Sequence, residues 1–98
     1  MTIIQLETFI KITETNSFSS AANSLGYAQS TVTTQIKQLE EELHCLLFER
    51  LGKSIVLTLE GERLLIYAQK ILQLEREILL EVPASKEPAG TLRLGISE

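Results

Sequence analysis

The chain has 98 residues, of which 44% are hydrophobic and 22% charged, with a formal net charge of −4 and a sequence pI of about 5.0. This length fits one small domain, and the acidic balance argues against a protein that coats nucleic acid without selectivity. We expect no membrane span and no signal peptide. The single Cys45 excludes an intrachain disulfide and fits a reducing compartment, so the composition predicts a cytoplasmic protein.

The first predicted helix begins at Thr2. Thr2 and Gln5 match a capping box, in which each side chain accepts a free backbone N–H of the other residue. Asn16 and Ser17 end this helix. Apolar residues recur at the spacing of one helix face, which predicts a buried stripe. The stripe consists of Ile3, Leu6, Phe9 and Ile10.

The next stretch predicts a helix-turn-helix over residues 18–37. A short helix ends at Gly26, which suits the left-handed conformation that closes many helices. Ala21 and Ala22 are small enough to let this helix cross the following one closely. In the longer second helix, apolar residues step by four, three and four, which predicts an inward-facing stripe. That stripe consists of Val32, Ile36, Leu39 and Leu43.

The opposite face of the second helix is small and polar. No carboxylate occurs from Thr15 to Leu39, although the whole chain is acidic. A helix that lies against phosphates cannot tolerate acids on its approaching face, whereas hydroxyls and amides can bond base edges in the major groove. An ordinary helical hairpin with a solvated polar face is the alternative. The predicted DNA contacts of this unit are Ser20, Gln29, Ser30, Thr31, Thr33, Thr34 and Lys37.

After Leu43 the periodicity changes and predicts a β-hairpin. Two short strands, over residues 46–50 and 54–57, are separated by a tight turn at Gly52 and Lys53. A hairpin that directly follows a helix-turn-helix is the wing of a winged helix. The sequence therefore predicts that architecture.

The predicted wing carries two cations, Arg50 and Lys53, which we place at its tip. A basic tip can reach a narrow minor groove or the flanking phosphates, so both residues are predicted DNA contacts. The alternative for Arg50 is a surface ion pair with Glu49 or Glu42, worth under about 1 kcal/mol.

A long helix capped by Thr58 is predicted over residues 59–80, with Glu60 and Glu62 in the first turn, where they complement the helix dipole. Its apolar residues cover two adjoining faces, more than one small domain can hide. We therefore expect a homodimer through this helix; the alternative is that the first helix, about half as long, covers both faces. The predicted dimer seam is Leu64, Tyr67, Ile71, Leu74 and Ile78. The adjoining stripe is Leu65, Ala68, Leu72 and Leu79.

The end of the sequence predicts a second domain. Residues 83–90 contain two prolines and a glycine without periodicity, which indicates a hinge. Over residues 91–98, Leu92, Leu94 and Ile96 alternate as in a strand that has no partner within this sequence. We interpret the chain as a fragment of a longer protein.

Five segments, in this order and spacing, resemble the N-terminal part of LysR-type transcriptional regulators over essentially the whole chain. They are Leu6-x-x-Phe9, Ser17-Phe-Ser-x-Ala-Ala22, Gln29-x-x-Val32-x-x-Gln35-Ile36-x-x-Leu39-Glu40, Leu47-Phe-Glu-Arg50 and Leu57-Thr-x-x-Gly61. The resemblance implies a mainly α fold, with a winged helix-turn-helix of three helices plus a β-hairpin wing over residues 1–58. A linker and dimerisation helix over residues 59–82 would follow.

The same resemblance implies double-stranded operator DNA as the partner and a homodimer that becomes a tetramer in the full-length protein. A small-molecule effector is implied only for the missing C-terminal domain. By position, Gln29, Ser30, Thr33 and Arg50 correspond to the family's DNA contacts. The chain departs from the family pattern at five positions. The residues frequent in the family at these positions are, in order, Ser, Arg, Gly, a small aliphatic residue and Pro. These positions hold Ala28, Thr34, His44, Cys45 and Leu46.

Other functional classes have less support in the sequence. We expect no enzyme, because the chain has no nucleophile–base pair, one histidine and no phosphate-binding glycine loop. We expect no cofactor or metal, since His44 and Cys45 supply two ligands at most, and Cys45 is interpreted as a small buried hydrophobic residue. A winged helix that binds only proteins is the remaining alternative, which the carboxylate-free face and the basic wing disfavour.

Overall fold

The computed structural model describes residues 1–84, which fold into six elements. In chain order these are α1 (Ile3–Thr15), α2 (Phe18–Leu25), α3 (Gln29–Leu43), β1 (Phe48–Leu51), β2 (Ser54–Leu57) and α4 (Leu59–Glu81). The predicted winged helix-turn-helix, followed by a long helix, is confirmed. Most of the predicted hinge over residues 83–90, and the predicted strand over residues 91–98, lie outside the described residues.

The capping box at the start of α1 is confirmed. The Thr2 hydroxyl accepts the Gln5 N–H at 3.1 Å, and the Gln5 side chain accepts the Thr2 N–H at 3.0 Å. The predicted buried stripe is partly wrong, because Ile3 and Ile10 are only half-buried. Three helices, α2, α3 and α4, pack on α1, so its covered face is wider than one stripe. The fully covered residues of α1 are Leu6, Thr8, Phe9 and Ile12.

The helix-turn-helix forms as predicted. Ala21 and Ala22 are buried where α2 packs against its neighbours, and Gly26 closes α2 in the left-handed conformation with φ 77°. The inward stripe of α3 is confirmed, with Val32, Ile36 and Leu39 buried and Leu43 packed at the edge of the core. His44 ends α3 with φ 57°, a conformation that a non-glycine residue adopts at a modest cost.

The wing is an antiparallel pair in which Phe48 lies opposite Leu57 and Arg50 lies opposite Ile55. Its first strand starts two residues later than predicted, because Leu47 is fully buried in the core and its N–H bonds a side chain of α3. Two aromatic contacts hold the wing on the helices. The Phe48 ring centroid lies 5.4 Å from that of Phe9 and 5.5 Å from that of Phe18.

Helix α4 starts at a close contact with the wing. The Thr58 hydroxyl accepts the Gly61 N–H at 2.9 Å, which confirms the predicted cap. A Cβ atom at Gly61 would collide with the Leu47 carbonyl oxygen, so only glycine fits this position without a shift of the backbone. None of the helices within residues 1–84 combines the length and apolar character needed to cross a membrane.

The predicted dimer seam on α4 divides into two groups. Leu64 and Ile71 pack against the chain's own core, as does Leu65 of the adjoining stripe. Ala68 is fully buried on this part of α4. Leu64 lies four residues before it and Ile71 three residues after it, the spacings of neighbours on one helix face. The remaining seam residues are solvent-exposed. The accessible fractions of their surface are 62% for Tyr67, 58% for Leu74 and 56% for Ile78. Ile71 is the last hydrophobic residue of α4 packed on the core within the described part of the chain.

Candidate nucleic-acid interface

The polar face of α3 is at the surface, as the sequence predicts. Thr33 is half-buried and the other predicted contacts of this helix are exposed. Ser20 is exposed in the first turn of α2, where its backbone N–H bonds the Ser17 hydroxyl at 3.1 Å. The exposed contacts on α3 are Gln29, Ser30, Thr31, Thr34 and Lys37.

A shallow depression lies between α3 and the wing, and the exposed Arg50 lines it. Side chains of a strand alternate between its faces, so Arg50 shares the face of Phe48, which is turned toward the helices. Its neighbours along the α3 side of the depression are Gln29, Thr33 and Lys37. Arg50 is thus a residue of β1 on the inner face of the wing, and its predicted place at the tip is wrong. Only Lys53 lies in the turn.

The cations of this surface form no ion pair within the described residues. Within residues 1–84 the ion pairs are those of the Met1 amino group with Glu42 and of Lys11 with Glu14. The alternative ion pairs of Arg50, with Glu42 or with Glu49, are therefore absent from the described structure. The positive charges of Lys37, Arg50 and Lys53 remain available to an anionic ligand.

The polar face of α3, which contains no carboxylate, is about as long as the major groove is wide. Nine residues, from Gln29 to Lys37, span about 13 Å at 1.5 Å per residue, and the major groove is about 12 Å wide. Acids start one turn later, with Glu40 at the lining of the depression and Glu41 exposed. This arrangement admits the N-terminal half of α3 to a phosphate-lined groove and repels the phosphates from its C-terminal end.

The flank of α3 opposite the wing is tied to α1 by polar contacts that the sequence analysis missed. The buried Thr8 hydroxyl donates to the Gln35 side chain, and the Gln5 amide donates to the Gln38 side chain at 2.9 Å. Gln35, Gln38 and Glu42 recur at steps of three and four, the spacing of one helix face. That periodicity is the signal that could have identified this flank. Its contacts fix the orientation of α3 relative to α1.

No group of three or more His, Cys, Asp or Glu side chains within residues 1–84 could hold a metal ion. Cys45 is a free thiol that packs against the core, but it is only half-buried and therefore less covered than the predicted buried hydrophobic residue.

Comparison with known proteins places these residues in a regulatory family. Residues 3–62 match the family described as bacterial regulatory helix-turn-helix protein, lysR family. The uncharacterized HTH-type transcriptional regulator YwqM of Bacillus subtilis (strain 168) is 47% identical over all 98 residues. The HTH-type transcriptional regulator SoxR of Arthrobacter sp. (strain TE1826) is 44% identical over the same length. The chain spans about a third of these relatives, 33% and 34% of their lengths.

The fold is also found in a solved protein–DNA complex. The crystal structure of the BenM DNA-binding domain with catB site 1 DNA superposes with a TM-score of 0.80 at 34% sequence identity. The match covers 84% of this chain and 91% of that one. Most of this chain therefore has a counterpart in a domain solved with DNA.

Proposed function

Because the chain belongs to the LysR family of bacterial regulatory helix-turn-helix proteins, we propose that it is the operator-binding part of a transcriptional regulator. The observation that carries the proposal is the joint surface of α3 and the wing, where a carboxylate-free helix face about 13 Å long adjoins three unpaired cations. The similarity to a domain solved with DNA supports the same assignment.

In the proposed complex, α3 lies in the major groove with its N-terminal half against the bases. Gln29 reads a base edge with its amide, and the hydroxyls of Ser30, Thr33 and Thr34 bond neighbouring bases or phosphates. Thr31 and Ser20 approach the flanking sugar–phosphate backbone from the start of their helices.

The depression between α3 and the wing takes the DNA backbone that separates the major groove from the minor groove. Lys37 on one side and Arg50 on the other neutralise its phosphates. Lys53, in the turn of the wing, reaches the adjacent minor groove or its edge. These roles follow from the free charges and from the orientation of Arg50 toward α3.

We propose a homodimer through the outer side of α4, so that two winged helices bind two half-sites. Tyr67, Leu74 and Ile78 are its central contacts, with Leu64 and Ile71 at the border between the seam and the core. In a full-length protein we further propose a tetramer and a C-terminal domain that binds a small-molecule effector. Operator binding would place the protein in the cytoplasm, with the chromosome.

The proposal is tested by selection from a random DNA pool. The 98-residue chain is incubated with random duplexes at low salt, and the bound fraction is recovered, amplified and sequenced. We expect a sequence motif with two related half-sites, together with affinity for the selected duplex at least about a thousandfold above that for a scrambled duplex. Absence of binding at low salt would contradict the proposal, and binding without enrichment would exclude sequence-specific recognition.

A further inference from the structure

Glu40 organises the turn that leads from α3 into the wing. Its backbone carbonyl accepts the N–H of His44 and, at 3.2 Å, the N–H of Cys45. Its side-chain Oε2 accepts the N–H of Leu47 at 2.9 Å in a partly buried position. A hydrogen bond to a carboxylate is roughly twice as strong as one between neutral groups. One residue of α3 thus holds three of the four N–H groups that follow Leu43.

Leu47 is also fixed from the side of α4. Its carbonyl oxygen accepts the Thr58 N–H at 3.0 Å, and the Thr58 hydroxyl donates to the carbonyl of Leu46 at 2.6 Å. The Leu47 side chain is fully buried, and Gly61 lies against its carbonyl oxygen. Because β1 begins at the next residue, the path of the wing away from the helices depends on how Leu47 is held.

The orientation of Arg50 follows from this anchor. Arg50 lies three residues after Leu47, and a shift of one residue in the strand would turn its side chain to the opposite face of the wing. We propose that Glu40 is a positioning residue for DNA binding, which by holding the Leu47 N–H keeps Arg50 turned toward Lys37 across the depression. This inference rests on the proposed function, which places the DNA backbone in that depression.

The charge of Glu40 separates this role from a direct contact with DNA. Glu40 lines the same depression as Lys37 and Arg50, where a carboxylate repels phosphate. Its benefit to DNA binding must therefore come from the hydrogen bond that it accepts. Glu40→Gln keeps an acceptor oxygen and removes the charge, whereas Glu40→Ala removes both. Glu41 is exposed and makes no side-chain hydrogen bond within residues 1–84, so Glu41→Ala is the matched control for charge.

The test is a double-mutant cycle in the 98-residue chain, with a duplex that the wild-type chain selects from a random pool as the probe. We expect Arg50→Ala to weaken binding about tenfold in the wild-type, Glu40→Gln and Glu41→Ala backgrounds. In the Glu40→Ala background, where Arg50 is no longer aligned, the same substitution should weaken binding less than about threefold. An undiminished tenfold effect there would mean that Glu40 acts only on stability, and would overturn the inference.

A second measurement needs no DNA. Amide hydrogen exchange of Leu47, followed by NMR, should accelerate at least about tenfold in Glu40→Ala and remain near the wild-type rate in Glu40→Gln and Glu41→Ala. Unchanged exchange in Glu40→Ala would overturn the inference. If Glu40→Ala does not fold, Glu40→Asp takes its place in both measurements, because the shorter side chain keeps the charge but withdraws the acceptor from the Leu47 N–H. An effect of Arg50→Ala below about threefold in that background supports the inference, and an undiminished tenfold effect overturns it. A wild-type chain that binds no duplex overturns the proposed function as well, whereas binding without coupling overturns this inference alone.

Discussion

The salt dependence of DNA binding follows from the number of cations that the fold leaves free for phosphates. Among residues 1–84, Lys37, Arg50 and Lys53 lie on α3 or the wing without an ion-pair partner. With three cations per chain, the proposed dimer neutralises about six phosphates. At roughly 0.9 per phosphate, log K should fall with log salt concentration with a slope of about −5. The slope is obtained from fluorescence anisotropy titrations of the selected duplex at several salt concentrations.

Arg50→Ala should remove one of these phosphate contacts per chain. The slope should then flatten to about −3.6, the value for four phosphates, and the affinity should fall about tenfold, which is about 1.4 kcal/mol. Selected and scrambled duplexes should lose affinity alike, because phosphates carry no sequence. Arg76→Ala on the exposed surface of α4 is the matched control and should leave the slope unchanged. A wild-type slope steeper than about −8, or no change in Arg50→Ala, would refute this assignment of the contact surface.

Three further predictions test the base contact, the helix junction and the dimer. In anisotropy titrations, Gln29→Ala should reduce the binding free energy for the selected duplex by about 1–3 kcal/mol and leave that for a scrambled duplex almost unchanged. Equal losses on both duplexes would show that Gln29 does not read a base. Gly61→Ala should destabilise the chain by about 1–3 kcal/mol, because its Cβ would meet the Leu47 carbonyl. Its calorimetric midpoint should fall by about 4–8 °C per kcal/mol, and an unchanged midpoint would contradict the close contact. Leu74 is 58% exposed in the single chain, so Leu74→Glu should leave the fold intact but place an unpaired charge in the proposed dimer interface. Sedimentation should then show folded monomers, and an intact dimer would exclude this seam.

The regular elements could be predicted because their signals are local. The steps of four, three and four in α3 identified Val32, Ile36 and Leu39 as buried, since side chains at this spacing share one helix face. The caps at Thr2 and Thr58 were equally accessible, because each joins residues three apart in the sequence. Such short-range patterns were enough for the winged helix architecture.

The parts that were mispredicted depend on contacts between distant residues. Arg50 was placed at the wing tip because nothing local reveals that Leu47 is held by Glu40 and by the start of α4, which delays the first strand. Similarly, the heptad spacing could not distinguish a seam for a second chain from the core-facing side of α4. The position of α1 decides that Leu64 and Ile71 pack inward.

The unsupported end of α4 would make the proposed dimer sensitive to helix length. From Ile71 to Glu81 the helix continues for about 15 Å past its last core contact, at 1.5 Å per residue. Inserting one residue there would rotate everything beyond it by about 100°, whereas inserting seven would nearly restore the phase. A seven-residue insertion would move the two winged helices by up to about 10 Å, the rise of three base pairs. The length of α4 beyond Ile71 would thus set the distance between the two winged helices. Relatives in which this segment is longer or shorter should prefer operators whose half-sites are spaced differently.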